Sequence, residues 1–137
     1  MKMRYDVTVT VRGEQEYEDM GRDHTELTVD GVLTDAPEGW TLSYEEQETR
    51  TEFEIGTQRV VLRRSGELRS EMVFEVGKTH TTVYEMPFGA LPMEVSTDSI
   101  RQKLSERGGL LEIRYRITVG EQVRSKNICK VQVKRKV

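Results

Sequence analysis

The sequence predicts an all-β fold, an antiparallel up-and-down meander closed into a barrel of about 8–10 strands. The first supporting observation is alternation: Tyr5, Val7, Val9 and Val11 occupy every second position. Because successive strand side chains point to opposite faces, this spacing predicts one buried face and one solvent-facing face. The second is composition, with 35% hydrophobic and 33% charged residues. Such a composition suits one curved sheet whose outer face is polar.

Segments with this alternation follow one another along the whole chain, separated by turn residues such as Gly13, Gly66 and Gly120. A meander of this length closes because closure removes exposed strand edges; a two-sheet sandwich is the alternative architecture. Between the first two segments, residues 14–24 show no clear period and are predicted to be a loop or a frayed extension. The predicted strands are approximately 4–12, 27–33, 40–47, 53–55, 60–62, 68–76, 79–86, 91–97, 111–119 and 128–133.

One segment breaks the period of two and is predicted to be a short helical turn, residues 98–107. Ser99 and Gln102 have the spacing of a capping box, and Ile100 and Leu104 lie four residues apart. The Gly108-Gly109 pair that follows is typical of a helix end.

Length and charge limit the classes of protein that the chain can represent. We expect a single domain over residues 1–137, because no linker, repeat or shift of composition interrupts it. A formal net charge of -3 argues against a dedicated nucleic-acid binder, and no apolar run predicts a membrane span or a secretion signal. Cys129 is the only cysteine, so no intramolecular disulfide is possible and a cytoplasmic location is expected.

Six strand motifs follow one another in the sequence: Leu42-x-Tyr44-x-Glu46, Leu62-x-Arg64-x-Gly66, Met72-x-Phe74, Tyr84-x-x-Pro87-x-Gly89, Met93-x-Val95-x-Thr97 and Leu111-x-Ile113-x-Tyr115. In this order, over approximately residues 4–133, they resemble the YwiB-like family of small bacterial proteins. This resemblance implies a calycin-like β-barrel, the group that includes lipocalins, and a bacterial cytoplasmic setting; it supplies no established activity.

The candidate site comes from polar residues on the phase that should be apolar. Glu46 continues the phase of Leu42 and Tyr44, and Arg64 continues that of Leu62, so both are expected to point inward near a strand end. One interpretation is a polar clamp that binds an anionic or hydroxylated ligand; the other is a structural ion pair that plugs the barrel end. The predicted barrel lining consists of Glu46, Arg64, Tyr44, Tyr84 and Tyr115.

Other residues offer weaker signals. His24 and His80 are the only histidines and do not have the spacing of a metal site, so neither a metal nor another cofactor is expected. Cys129 lies among lysines that could lower its pKa, although an ordinary half-buried thiol is the simpler interpretation. Phe88 is predicted to cover one barrel end, as a portal or as a plug of the core.

Basic residues concentrate near the C-terminus, where they form either a surface for an acidic partner or a charged edge strand that blocks aggregation. These residues are Arg124, Lys126, Lys130, Lys134, Arg135 and Lys136.

The function predicted from the sequence is the binding of a small ligand in a polar-lined cavity. The alternative is a non-enzymatic interaction module that acts through its outer surface. We see no reactive constellation that predicts an enzyme. The expected partners are a small molecule or a protein, with neither nucleic acid nor membrane, and the expected assembly is a monomer or a homodimer.

Overall fold

A computed structural model gives the structure of the chain. It describes residues 2–18, 21–66, 69–87, 89–120 and 122–136, without the side chains of Tyr84, Glu85, Met86 and Val123. All regular secondary structure of the described residues is β. The strands are β1 Arg4–Tyr17, β2 Gly21–Ala36, β3 Gly39–Glu46, β4 Thr49–Ile55, β5 Arg59–Ser65, β6 Ser70–Glu75, β7 Thr79–Met86, β8 Gly89–Ser105, β9 Gly108–Val119 and β10 Gln122–Arg135.

The strands form one ten-stranded antiparallel sheet in the order β6-β5-β4-β3-β2-β1-β10-β9-β8-β7. The predicted all-β meander is therefore confirmed, and the sheet curls into a nearly closed barrel. The first and last strands pair side by side, from Val7 opposite Arg135 to Tyr17 opposite Ser125. Consequently the two edge strands are β6 and β7, which are consecutive in the chain. None of the described segments is a helix long and apolar enough to cross a membrane.

Alternation builds the core as predicted. The inward side chains of every strand from β1 to β6 and of β8 to β10 contribute to one apolar cluster, in which Val9, Leu42 and Leu111 are fully buried. Phe53 and Phe74 are the largest of its fully buried side chains. Full burial of side chains of this size contributes about 1.5–3 kcal/mol each, so this cluster is the main source of stability.

The helical turn predicted for residues 98–107 is wrong, because this segment belongs to β8 and pairs with β9. Ile100, Gln102 and Leu104 alternate with exposed Arg101 and Lys103, so a period of two was present alongside the four-residue spacing. A bulge between Thr97 and Ser99 shifts the register there, which hides the continuity of the strand in the sequence. Gly108-Gly109 begins β9 and does not cap a helix.

Residues 14–17 and 21–24 differ from the prediction of a loop, whereas residues 19 and 20 lie outside the described residues. β1 and β2 remain paired there, from Gly13 opposite Thr25 to Tyr17 opposite Gly21. Both faces of this part of the hairpin are polar, which explains why no hydrophobic period marks it. Its β1 half is also paired with β10, so the ladder continues without an apolar face.

The boundary between β6 and β7, called the seam here, is closed differently from the rest of the barrel. In the described part of the chain no backbone ladder joins the two strands; the nearest backbone bonds link Gly77 and Lys78 to Thr97 of β8. Side chains bridge the remainder. The Thr82 hydroxyl donates to the Glu71 carbonyl, and the His80 ring lies 2.9 Å from the Glu75 carboxylate.

Glu75 is the charged centre of the seam. Its carboxylate lies 3.2 Å from the Lys78 ammonium and 3.9 Å from the Arg59 guanidinium, in addition to its contact with His80. Hydrogen bonding to His80, followed by that to Lys78, lowers the pKa of Glu75. Polar side chains therefore hold β6 and β7 together at the seam, whereas backbone hydrogen bonds join the other pairs of neighbouring strands.

We expect the amides of β6 and β7 to exchange with solvent faster than those of β1, β9 and β10. Each of these two strands has a ladder on one side only, so local opening disrupts fewer hydrogen bonds. Hydrogen–deuterium exchange followed by mass spectrometry measures this. Equal protection of β6, β7 and β10 would contradict a weak seam.

We expect Glu75→Gln to lower the urea unfolding midpoint at pH 7 and to leave it nearly unchanged at pH 3. A carboxyl whose pKa is lower in the folded state stabilises the fold above its unfolded pKa, which is 4.5 for the reference group. That stabilisation disappears as the pH falls through the folded-state pKa. The matched control is Glu94→Gln on β8, an exposed position, for which no such difference between the two pH values is expected.

Candidate functional site

The candidate site lies at the end of the barrel where the inward phase becomes polar. One row of paired residues crosses four neighbouring strands there, with Tyr44 opposite Thr51, Thr51 opposite Arg64, and Arg64 opposite Ser70. Leu42, Phe53 and Leu62 form the next inward row and belong to the core. Register alone therefore places a phenol, two hydroxyls and a guanidinium directly above the apolar core.

Above this row is a concavity of about 550 Å³, the mouth site. Its volume falls in the range of roughly 300–1,000 Å³ that small-molecule sites occupy. The residues that define the mouth site for the argument below are Tyr44, Glu46, Thr51, Arg64, Arg69 and Ser70.

A glycine makes room for Tyr44. Gly31 lies opposite Tyr44 on β2, and a Cβ atom there would lie 2.8 Å from the Ser43 carbonyl oxygen and 2.9 Å from Val9 Cγ2. Both distances are too short for a side chain to be accommodated without a shift of backbone. The close approach of the strands buries the Tyr44 ring, which stays 5% exposed and packs 6.5 Å from the Phe53 ring.

Glu46 is held at the rim of the mouth site by a tight turn. β3 ends at Glu46 and β4 begins at Thr49, so Gln47 and Glu48 are the two residues of the connecting loop. Both have positive φ angles, 44° and 65°, which is the backbone conformation of a type I′ hairpin turn. Glu48 is thus a turn residue and belongs to neither strand.

The predicted ion pair between Glu46 and Arg64 is not formed. Both side chains are exposed within the mouth site, and no salt bridge within 4.0 Å joins either to any residue of the described part of the chain. Glu26, which also borders the concavity, is paired with Arg12 at 3.5 Å. The site therefore presents a carboxylate and a guanidinium that have no charged partner among the described residues.

The charge of Arg64 acts on side chains from three other strands. Burial raises the pKa values of Tyr44, Tyr115 and Cys129, to about 11 for Cys129, and the positive charge of Arg64 opposes each increase. The charge of Arg64 therefore acts on groups of β3, β9 and β10. Since all three groups stay protonated near neutral pH, none of them supplies a negative charge to Arg64. The idea that neighbouring lysines lower the pKa of Cys129 is wrong, because burial outweighs them.

Tyr115 is inward-facing as predicted, but it is only partly buried and borders a second concavity, described below, instead of the mouth site. Its ring is 4.7 Å from the ring of Phe74, and it sits in register between Thr97 and Asn127. Thr97 Oγ1 and Asn127 Oδ1 are buried without a hydrogen-bond partner among the described residues, while Asn127 Nδ2 donates to Ser125 Oγ. Thr97, Tyr115 and Asn127 thus form a polar row across β8, β9 and β10.

Two of the predicted residues lie partly or wholly outside the described residues. The backbone of Tyr84 belongs to β7 and pairs with Leu91, but its side chain is not described. Phe88 is not described at all. Sequence reasoning missed Arg69, which precedes β6 and borders the mouth site beside Arg64. No period marks this position, because it follows a turn; its proximity to Arg64 in the chain was the only available signal.

A second concavity, of about 900 Å³, lies on the outer face of the long hairpins. Glu14, Arg114, Arg116 and Lys126 line it, and all are in the phase opposite to the core residues of their strands. Much of its charge is compensated internally: Arg116 binds Asp98 at 3.0 Å and Arg114 binds Glu112 at 3.0 Å. The described residues include no group of three or more His, Cys, Asp or Glu side chains that could hold a metal ion.

We expect Cys129 to react with iodoacetamide about 100-fold more slowly at pH 8 than a thiol of pKa 9.0, because its pKa of about 11 reduces the thiolate fraction by that factor. Arg64→Ala removes the charge that opposes this increase, so the midpoint of the pH–rate curve moves to higher pH. Arg59→Ala, at the other end of β5, is the control. An unchanged midpoint in Arg64→Ala would show that Arg64 does not point into the barrel.

Comparison with known proteins agrees with this fold. A family model described as a domain of unknown function (DUF1934) matches residues 9–131. The uncharacterized beta-barrel protein YwiB of Bacillus subtilis (strain 168) is 32% identical over 85 residues, which are 59% of this chain and 60% of that protein. The sequence match thus spans less than two thirds of that relative.

A structural match covers more of both chains. The crystal structure of the ywiB protein from Bacillus subtilis superposes with a TM-score of 0.87 at 25% identity, covering 98% of this chain and 94% of that one. The resemblance to the YwiB-like family is confirmed, while membership of the calycin group stays a prediction. The chain belongs to the DUF1934 family of uncharacterised β-barrel proteins.

Proposed function

We propose that the protein binds a small anionic or hydroxylated ligand in the mouth site. The observation that carries this proposal is the Arg64 guanidinium, which reaches the barrel mouth beside buried Tyr44 without a carboxylate within 4.0 Å among the described residues. A cation in a concave, partly apolar setting binds an anion more strongly than one on an open surface does. We also propose a cytoplasmic location, supported by the unpaired thiol of Cys129.

The geometry favours a bound ligand over a structural plug. A plug would satisfy Arg64 and Glu46 through each other, since a half-buried ion pair needs close contact to offset the loss of hydration. The two groups are instead separate and both border open volume. Hydroxyls of Thr51 and Ser70 lie in the same row as Arg64 and supply neutral hydrogen-bond partners.

We expect the purified protein to retain a small molecule from the small-molecule fraction of a bacterial extract, detected as a mass increase by native mass spectrometry. Arg64→Ala should reduce the occupancy about 10-fold or more, because a hydrogen bond to a charged group contributes about 1.5–3 kcal/mol. Arg59→Ala should retain the wild-type occupancy. An empty wild-type protein, or equal occupancy in Arg64→Ala, would contradict the proposal.

A second candidate function is an interaction module that acts through the outer surface. The observation that favours it is the outer concavity of about 900 Å³, which Arg22, Arg116 and Lys126 border. The basic C-terminal segment is partly engaged already: Lys136 binds Asp30 at 2.8 Å, and the Arg135 guanidinium lies 4.7 Å from the centre of the Tyr5 ring. A protein partner lost with Arg116→Glu and kept with Arg64→Ala would support this alternative.

A further inference from the structure

We propose that the mouth site recognises a phosphate monoester of a polyhydroxylated compound, such as a sugar phosphate. Arg64 and Arg69 bind the phosphate, and Glu46 and Gln47 bind hydroxyl groups of the polyol. This inference rests on the proposed function and adds the chemical class of the ligand, which a general affinity for anions would leave open.

Arg64 belongs to β5 and Arg69 directly precedes β6, and both border the same concavities. Both of them, together with Ser70, border the mouth site and also a shallower concavity of about 420 Å³ on the outer face. The side chains of Arg64, Arg69 and Ser70 therefore form the rim between the mouth site and the shallower concavity. Two guanidinium groups and a hydroxyl at one rim make a group of hydrogen-bond donors suited to a tetrahedral oxyanion.

Arg64 and Arg69 differ from the neighbouring arginines in their pairing with carboxylates. Arg63 binds both Glu54 at 2.5 Å and Glu71 at 3.0 Å, and Arg50 lies 3.6 Å from Glu45. Within the described part of the chain, Arg64 and Arg69 have no such partner within 4.0 Å. A phosphate monoester carries a charge of about -1.5 to -2 at neutral pH, so one such group matches both cations.

The remainder of the mouth site is suited to hydroxyl groups. The Glu46 carboxylate can accept hydrogen bonds from two hydroxyls, and the Gln47 amide can both donate and accept. Burial raises the pKa of Tyr44, so its phenol stays protonated and can donate. Val11 and Leu27 supply apolar wall for the carbon-bound face of a ring.

Glu46 also argues against a ligand with carboxylates at both ends. A second carboxylate placed at the far side of the mouth site would approach Glu46, and two like charges in close proximity repel each other. A neutral polyol experiences no such repulsion. The site combines two cations, Arg64 of β5 and Arg69 before β6, with the Glu46 carboxylate at the end of β3, and thus selects a molecule with one anionic and one hydroxylated end.

The test is isothermal titration calorimetry with D-glucose 6-phosphate, D-glucose, inorganic phosphate and citrate. We expect glucose 6-phosphate to bind about tenfold or more tightly than each of the other three. Arg69→Ala should weaken glucose 6-phosphate and inorganic phosphate by the same factor. Glu46→Gln should weaken glucose 6-phosphate and leave inorganic phosphate unchanged. The control variants are Arg59→Ala at the far end of β5 and Glu45→Gln on the opposite face of β3.

The outcomes separate this inference from the proposed function. If citrate binds more tightly than glucose 6-phosphate, or if the phosphate and its sugar ester bind equally, the ligand class is wrong although an anion site remains. If a molecule retained from the extract depends on Arg64 but is displaced by none of the four probes, only the present inference fails. If the wild-type protein binds none of the probes and retains nothing, both proposals fail.

Discussion

The antiparallel pairing of β1 with β10 is the constraint on which the rest of this structure depends. It joins the two ends of the chain along the length of both strands, from Val7 opposite Arg135 to Tyr17 opposite Ser125. Because each of these strands also pairs with its neighbour in sequence, neither is an edge, and the lysines of β10 do not protect one. The interpretation of the C-terminal lysines as guards of an edge strand is therefore wrong. Closing so long a segment costs chain entropy, and topologies dominated by such distant contacts fold slowly.

This pairing also decides where the barrel is weakest. With the termini joined, the sheet has to end in the middle of the chain, between β6 and β7. The seam is closed by the Thr82–Glu71 hydrogen bond and by the charges around Glu75. Its far end borders the mouth site through Ser70, the first residue of β6. The seam, which has no backbone ladder, thus lies next to the mouth site, where Glu46, Arg64 and Arg69 have no charged partner within 4.0 Å among the described residues.

Much of this arrangement follows from local rules that a sequence displays. The period of two located the strands, and the phase of Leu42 and Leu62 placed Tyr44, Glu46 and Arg64 at one end of the barrel interior, where the structure has them. Their role as a ligand site stays a prediction. Two local errors have physical causes: a bulge at Thr97–Ser99 concealed the continuity of β8, and the polar hairpin of β1 and β2 has no hydrophobic face to reveal it. Features that depend on how distant strands are arranged could not be predicted from the sequence. They are the absence of an ion pair between Glu46 and Arg64, the location of the seam between β6 and β7, and the position of Arg69 beside the mouth site.

The proximity of the chain ends has a consequence for the order of folding. The Lys136 amide donates to the Asp6 carbonyl at 2.9 Å, so a linker from residue 136 to the start of β1 has only a short distance to span. A circular permutant opened at the turn between Gly77 and Lys78 would begin with β7 and end with β6. Every ladder of that molecule would connect strands adjacent in its sequence, and its contact order would be lower. In the natural order of strands, β1 can pair with β10 only after β10, the last strand, has been synthesised. Barrel closure therefore comes late.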